Sequence, residues 1–450
     1  MSGGLGARLA RASRLGAVSA RTSAGWLAGA VIEGLGRSAA AGRLRRAAAA
    51  RAAEGLGRLK GLAMKLGQVL SFAIDEVPAE LRQALESLQT SSPPRPFTEI
   101  APVLERALGR PLPEAFAHLE PVPIAAASIG QVHRGRLLDG TAVAVKVQYP
   151  DVAAAVRADL ANLSLLVRFV RWLAPRVDAE RLALELRERL REELDYVAEA
   201  RHQAAFAARF ERHPFIAVPR VIASHSAPEV LTSEYVEGRT FPSALAGAEG
   251  VRSRQGEIIF RFAYGCIFGK GTFDADPHPG NYLFDGDGSR VTFLDFGCVK
   301  RLPPPVLQAW RTFVRALLEG DRLASRRHAL ELGFVEPGPA ASLDRIVDAL
   351  TRLYLPFRAD GPRPFPSLWA GVSLADMLGK ELAEVRAHLR IPGDLVFANR
   401  TLAGMYMVLS RLGAIAPWRR IAREYVCGDP PATPLGTAER AWAERGARGA

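Results

Sequence analysis

The stretch Phe273-Asp274-Ala275-Asp276-Pro277-His278-Pro279-Gly280-Asn281, followed by Leu294-Asp295-Phe296-Gly297, decides how this chain is read. It presents an acid (Asp276), an amide five positions on (Asn281) and a second acid (Asp295) that opens an Asp-Phe-Gly triplet. Phosphoryl transfer to a hydroxyl asks for these residue types. One carboxylate orients the attacking hydroxyl, while an amide oxygen and another carboxylate hold Mg²⁺ against the phosphates. A lone Asp-Phe-Gly recurs by chance. The ordered pair at this spacing is far more specific.

Working outward, Ser128 to Leu138 and Thr141 to Gln148 are alternating, β-rich runs joined by Asp139-Gly140, a hairpin signal. In the second run Val143, Val145 and Val147 face one way, and Ala142, Ala144 and Lys146 the other. A small residue two before a lysine leaves room for a flat ring and places an ammonium to meet phosphate oxygens. The string Val143-Ala144-Val145-Lys146 is similar to the Val-Ala-Ile-Lys strand of protein kinases. The alternative is a solvated strand lysine, but only six of the 59 basic residues are lysine. Where arginine is the default cation, a lysine marks a place that needs a compact point charge.

A lysine so placed needs a helical glutamate. Asp178 is positioned to cap a long helix that runs through Arg187 and Glu199 toward Phe210. Glu192, Asp195 and Glu199 then share one face at i, i+3 and i+7. Like charges so spaced cost a few tenths of a kcal/mol per pair unless cations face them. Arg189 answers Glu193 and Arg191 answers Asp195, each at i+4. A solvated, salt-bridged helix fits this segment equally well.

Five blocks, in order over residues 60 to 300, resemble the UbiB-type (AarF-domain) atypical kinase family. They are Lys65-Leu66-Gly67-Gln68, the alanine-rich loop from Pro123 through Ala125, Ala126, Ala127 and Ser128 to His133, the Lys146 strand, Glu193-Leu194-Asp195 with Glu199, and the Asp276 and Asp295 blocks. The resemblance implies an α+β, bilobal protein-kinase-like fold with an N-terminal helical extension. It pairs Glu199 with Lys146 and sets Glu193 and Asp195 against Lys65. Alanines where ordinary kinases have glycines stiffen the loop over the phosphates. The family's Lys-x-Gly-Gln helix, here with Lys65 and Gln68 on one face, lies across the substrate entrance and occludes it. One position departs from the pattern: Asp274 stands where the family usually has histidine, placing a third carboxylate near the metal.

Other strings carry no chemistry. Ala227-Pro228-Glu229 precedes the catalytic loop and so cannot close an activation segment. Asp285-Gly286-Asp287-Gly288 begins like a calcium loop but has Arg290 at the required glycine, and reads as a turn between strands 282–285 and 291–294. His278 is assigned a structural role in its proline-rich loop rather than a metal-ligand role.

The 450 residues, 48% of them hydrophobic, can build one large or two coupled globular units. Cys266, Cys298 and Cys427 are too scattered for a disulfide framework or a zinc site, as expected of a reducing compartment. No apolar run reaches the roughly 18 residues needed to span a bilayer. Residues 1–60 hold 11 Lys/Arg against Glu33 and Glu54, which is +9 of the total +12. This arm is read as attracted to anionic membrane, giving a cytoplasmic protein peripheral to a bilayer; the alternative is a transit peptide and the mitochondrial matrix. Its near lack of aromatics argues against nucleic acid.

The expected organisation is a basic flexible arm (1–54), a helical extension (55–120), a sheet lobe (121–236), a mainly helical lobe (237–430) and a loose tail (431–450). Val230 to Val236 is the last strand of the sheet lobe and Glu237-Gly238 the hinge. The reading is an ATP- and Mg²⁺-dependent kinase-like enzyme. Asp276 is catalytic, Asn281 and Asp295 bind metal, and Lys146 holds the α- and β-phosphates with Glu199 orienting it. Ala125, Ala126, Ala127 and Ser128 cover the nucleotide. The family implies a role in isoprenoid-quinone or other prenyl-lipid metabolism, with prenyl lipid or quinone-biosynthesis proteins as partners. A small-molecule phosphotransferase and a nucleotide-binding lipid scaffold without turnover are the alternatives.

Overall fold

The computed structural model describes residues 94–127, 129–161, 167, 179–335, 340–354, 360–366 and 389–449. Lys65, Gln68, Ser128 and the basic arm lie outside the described residues. The chain forms two compact units: residues up to Ala198 with Ile222–Glu234, and Glu199–Val221 with Tyr235 onward.

The first unit is built on an antiparallel sheet. Its strands run in the order Phe116–Leu119, Gly130–Leu137, Ala142–Gln148, Val230–Glu234, and Ala125–Ala126 pairs with Gly130–Leu137. Asp139-Gly140 makes the expected turn, with Gly140 at φ 89° and the Asp139 carboxylate accepting from Thr141 N–H. Val143, Val145 and Val147 are each 0% exposed, on the sheet face covered by Ile100, Val103 and Leu104 of the helix Phe97–Leu108. That helix buries an i, i+3, i+4 stripe and stops at Gly109, whose φ of 68° suits glycine. The helical extension was expected to run to residue 120, but Phe116–Leu119 is an edge strand. Its partner Gly130–Leu137 supplies the ladder bonds that a short polar helix would lack.

The acidic helix is two helices, Ala179–Leu194 and Tyr196–Arg209. Asp195 is the joint. Its carboxylate accepts from Ala198 N–H at 2.8 Å, capping the second helix. The single carboxylate face expected of Glu192, Asp195 and Glu199 is thereby broken: Asp195 serves the backbone, and Glu199 sits in a new first turn.

The second unit is mainly helical. The helix Glu249–Tyr264, buried along its second half, runs into a π-helical segment, Gly265–Lys270, and lies along the helix Val396–Leu412. Three short strands, Ile216–Ala217, Val291–Phe293 and Tyr282–Phe284, make a small sheet. The last two are joined by the expected turn, where Gly288 takes φ 74°. Thr272–Asp274 pairs with Val299–Arg301, which ties the start of the Asp276 loop to the residues just after Asp-Phe-Gly.

The segment after Pro430, expected to be loose, contains the helix Pro434–Gly449. Leu435 is buried, Trp442 Nε1 donates to Glu211 O at 3.0 Å, and Glu439 reaches the fully buried Arg261 at 3.1 Å. Arg261 also holds Glu257 at 2.7 Å and Glu424 at 2.8 Å. The tail therefore docks through a short apolar stripe, Leu435, Ala438 and Trp442, together with specific ion pairs. Among the described residues, no helix is long and apolar enough to cross a membrane.

Candidate active site

In the second unit the Asp276 loop is fastened largely by its own atoms. Asp276 N–H donates to Asp274 Oδ1 at 3.0 Å, and Ala275 N–H to Cys298 O at 2.8 Å. Asp276 O accepts from His278 N–H at 2.7 Å and from Asn281 Nδ2 at 3.2 Å. His278 Nδ1 accepts from Gly280 N–H at 3.0 Å, which agrees with the structural role expected of that ring. Leu294 N–H donates to Asn281 O at 3.0 Å, so Asn281 and Asp295 are held near one another through the strand pair that links them. Asp274, the residue that departs from the family pattern, thus orders the Asp276 loop by an Asx-type bond.

The Asn281 amide is oriented by this network. Because its nitrogen donates to Asp276 O, its oxygen is the end left to accept or to ligate. Asp295 Oδ1 accepts from Gly297 N–H at 2.9 Å. A Cβ placed on Gly297 would lie 3.2 Å from Asp295 Oδ1 and 3.6 Å from Glu199 Oε2. Glu199, buried in the first turn of Tyr196–Arg209, and Asp295 therefore flank one glycine and make a negative locus that favours a cation. Phe296 is buried against Phe206, with ring centroids 4.7 Å apart, and its carbonyl accepts from His202 Nδ1. This packing fixes the Asp-Phe-Gly backbone.

Among the described residues no group of three or more His, Cys, Asp and Glu side chains gathers as a metal cage. The candidate ligands are the Asp295 carboxylate and the Asn281 amide oxygen, both hard, with the Glu199 carboxylate beside the same glycine. That suits Mg²⁺, which commonly takes one or two carboxylates and completes its shell with phosphate oxygens and water.

In the first unit Lys146 is half-buried, its Nζ 5.0 Å from the centroid of the buried Tyr196 ring. This is a cation–π placement, not the solvated strand lysine of the alternative reading. The alanine-rich loop is hydrogen-bonded as a narrow hairpin. Ile124 N–H donates to Val132 O and Ala127 N–H to Gly130 O, each at 2.8 Å, with Ala125 opposite Val132 and Ala126 opposite Gln131. At its base a Cβ on Gly130 would sit 2.3 Å from Val147 O and 2.9 Å from Tyr196 Oη. Only glycine fits where the loop, the lysine strand and Tyr196 meet. Gln148 Nε2 donates to Leu194 O at 2.9 Å, fastening the same strand to the end of the helix that carries Glu193.

Three contributors escaped the sequence reading: Gly130, Tyr196 and Arg400. Gly130 follows Ser128-Ile129 at the end of the alanine-rich run and Tyr196 follows Asp195, so both adjoin residues with a motif of their own. Arg400, with Nη2 3.8 Å from Asp276 Oδ1, comes from the helix Val396–Leu412 and has no local spacing to reveal it.

Comparison with known proteins points the same way. A family model described as the ABC1 atypical kinase-like domain matches residues 87–329. The chain is 32% identical over 374 residues to the mitochondrial atypical kinase COQ8B of Rattus norvegicus, covering 82% of this chain and 70% of that protein. It is 28% identical over 375 residues to the mitochondrial atypical kinase COQ8 of Saccharomyces cerevisiae, covering 82% and 74%. Among solved structures, Rv3197 of Mycobacterium tuberculosis, in complex with erythromycin, matches with a TM-score of 0.62 and 32% identity over 82% of this chain and 93% of that one.

Proposed function

Because the chain belongs to the ABC1 (UbiB-type) atypical kinase-like family, we propose that it is a Mg²⁺- and ATP-dependent enzyme, a kinase or ATPase that serves isoprenoid-quinone or other prenyl-lipid metabolism. The observation that carries the reading is the self-fastened loop, which spends the Asn281 amide nitrogen on Asp276 O and so reserves its oxygen for a cation beside Asp295.

Each residue then has a task its surroundings suit. Asp276 orients the attacking hydroxyl or water and accepts its proton. Asn281 and Asp295 would hold Mg²⁺, which supplies neutralising charge to the phosphate oxygens. In the first unit Lys146, steadied by the Tyr196 face, meets phosphate oxygens as a point charge. The Ala125–Ala127 hairpin offers a stiff cover for the nucleotide in place of a flexible glycine loop. Residues 1–54 attract the protein to anionic membrane, where a prenyl substrate resides.

The test is calorimetric titration of the full-length chain with Mg-ATP, together with ATP consumption with and without anionic liposomes and quinone precursors. Asp295→Asn removes the charge assigned to the metal and is expected to abolish Mg²⁺-dependent nucleotide binding. Unchanged affinity in that variant would remove the metal assignment and with it the phosphotransfer reading.

A further inference from the structure

From Thr272 to Asn281 the catalytic loop contains no lysine or arginine. The cation beside its acid comes from Arg400, far along the chain, whose Nη2 lies 3.8 Å from Asp276 Oδ1. The arginine side chain is 13% exposed and the aspartate 34%, so the cation is the fixed partner and the carboxylate the accessible one. At that separation the pair attracts without a hydrogen bond, which leaves the carboxylate oxygens able to accept from an incoming hydroxyl.

The helix that carries Arg400 also meets the loop next to it. Thr401 Oγ1 donates to Asp274 O at 3.3 Å. Gly404 lies so close to Pro277 that a Cβ there would be 2.5 Å from Pro277 Cγ. These contacts, with the loop's internal hydrogen bonds, already place the backbone. Arg400 adds a cation beside the Asp276 side chain.

We propose that Arg400 is a positioning residue for phosphoryl transfer: its guanidinium draws the Asp276 carboxylate into the orientation that receives the acceptor's proton. The inference rests on the role assigned to Asp276 above. In the transfer the acceptor O–H bond breaks as the new P–O bond forms. The proton passes to Asp276, and ADP leaves with the bonding electrons of the β–γ bridge.

The experiment compares wild type, Arg400→Ala, Arg400→Lys, Asp276→Asn and the Asp276→Asn/Arg400→Ala double variant as full-length proteins. ATP consumption, Mg-ATP affinity by titration and melting temperature are measured for each. Arg400→Ala is expected to lower kcat on the order of ten- to a hundred-fold, the scale of a misplaced catalytic group. Its Mg-ATP affinity should stay within about twofold of wild type, since only a transition-state interaction is lost. Arg400→Lys should recover part of the rate, and millimolar methylguanidinium should speed the alanine variant but not wild type or Asp276→Asn. In the Asp276→Asn background the arginine change should add no further loss. Wild-type turnover in Arg400→Ala, or a loss of turnover and binding together that neither lysine nor methylguanidinium restores, overturns the positioning role and leaves the Asp276 assignment standing. Full turnover by Asp276→Asn, or none by wild type, defeats that assignment itself and the inference with it.

Discussion

Acidification should destabilise the second unit through a single imidazole. His213 is 5% exposed and ringed by aromatics, with centroids 5.5 Å from Phe210 and 4.5 Å from both Phe215 and Trp442. Its Nδ1 accepts from Ile216 N–H at 3.0 Å and, more weakly, from Phe215 N–H at 3.4 Å. A neutral ring protonated on Nε2 satisfies both bonds. Burial, helped by the positive charge of Arg261, lowers the His213 pKa from 6.5 to about 3. Below about pH 6.5 the unfolded chain takes up a proton that the folded chain refuses. The contribution to stability is therefore complete above that pH, falls by about 1.4 kcal/mol per unit beneath it, and levels off only near the folded-state value. Between pH 7 and pH 5 the loss is about 2 kcal/mol. Urea midpoints over that range, for wild type and His213→Asn, measure it. The asparagine oxygen accepts the same backbone bonds without titrating, and every other histidine is common to the two proteins and cancels. Parallel pH dependences would show that His213 takes its proton in the folded state and would refute the argument.

The remaining predictions concern packing, buried charge and the arm. Gly130→Ala pushes a methyl into Val147 O, so it should cost on the order of 1–3 kcal/mol and weaken nucleotide binding by shifting the Lys146 strand, read from a urea midpoint and a Mg-ATP titration. Arg261→Met leaves Glu257, Glu424 and Glu439 without their shared cation and should lower stability by about 3–5 kcal/mol, seen as a large drop in melting temperature; a small drop would mean that the acids take up protons cheaply. Residues 1–54, with nine arginines against Glu33 and Glu54, should carry salt-sensitive binding to anionic liposomes, up to about 1 kcal/mol per charge. Equal co-sedimentation by a chain beginning at Gly55 would place the lipid contact elsewhere.

What could be read from the sequence was what is local. The alternation Val143, Val145, Val147 was enough to bury one face of a strand and turn Lys146 to the other. The spacing of Asp276, Asn281 and Asp295 was legible because strand Tyr282–Phe284, its turn and strand Val291–Phe293 are short and contiguous. Two local signals were misread because the same residue type serves two ends. Asp195 fits a helical charge pattern as well as it fits a cap, and only the Ala198 N–H bond decides for the cap. Phe116–Leu119 follows a helical turn directly, and only its pairing with Gly130–Leu137 makes it a strand. The last helix was illegible for a different reason. Its docking sets Leu435 and Trp442 on the core and Glu439 on Arg261, long-range partners that no window of sequence contains.

The parts of the site that were hardest to foresee come from outside the residues that mark the family. The matching region ends at residue 329. Yet Pro277 packs on Gly404, Asp274 O accepts from Thr401, and the Asp276 carboxylate faces Arg400, all on Val396–Leu412. That helix in turn lies along Glu249–Tyr264, whose Arg261 is held by acids from Trp418–Val426 and Pro434–Gly449. A chain of packed and charged contacts thus runs from the helix Pro434–Gly449 to the Asp276 loop. Thr401 on Asp274 O, Gly404 against Pro277 and the buried Arg261 are contacts to a backbone group, a glycine and a buried charge, the kinds of site where substitution is costly. The placement of the Asp276 loop therefore rests on residues spread over the length of the second unit, not on its own nine-residue string.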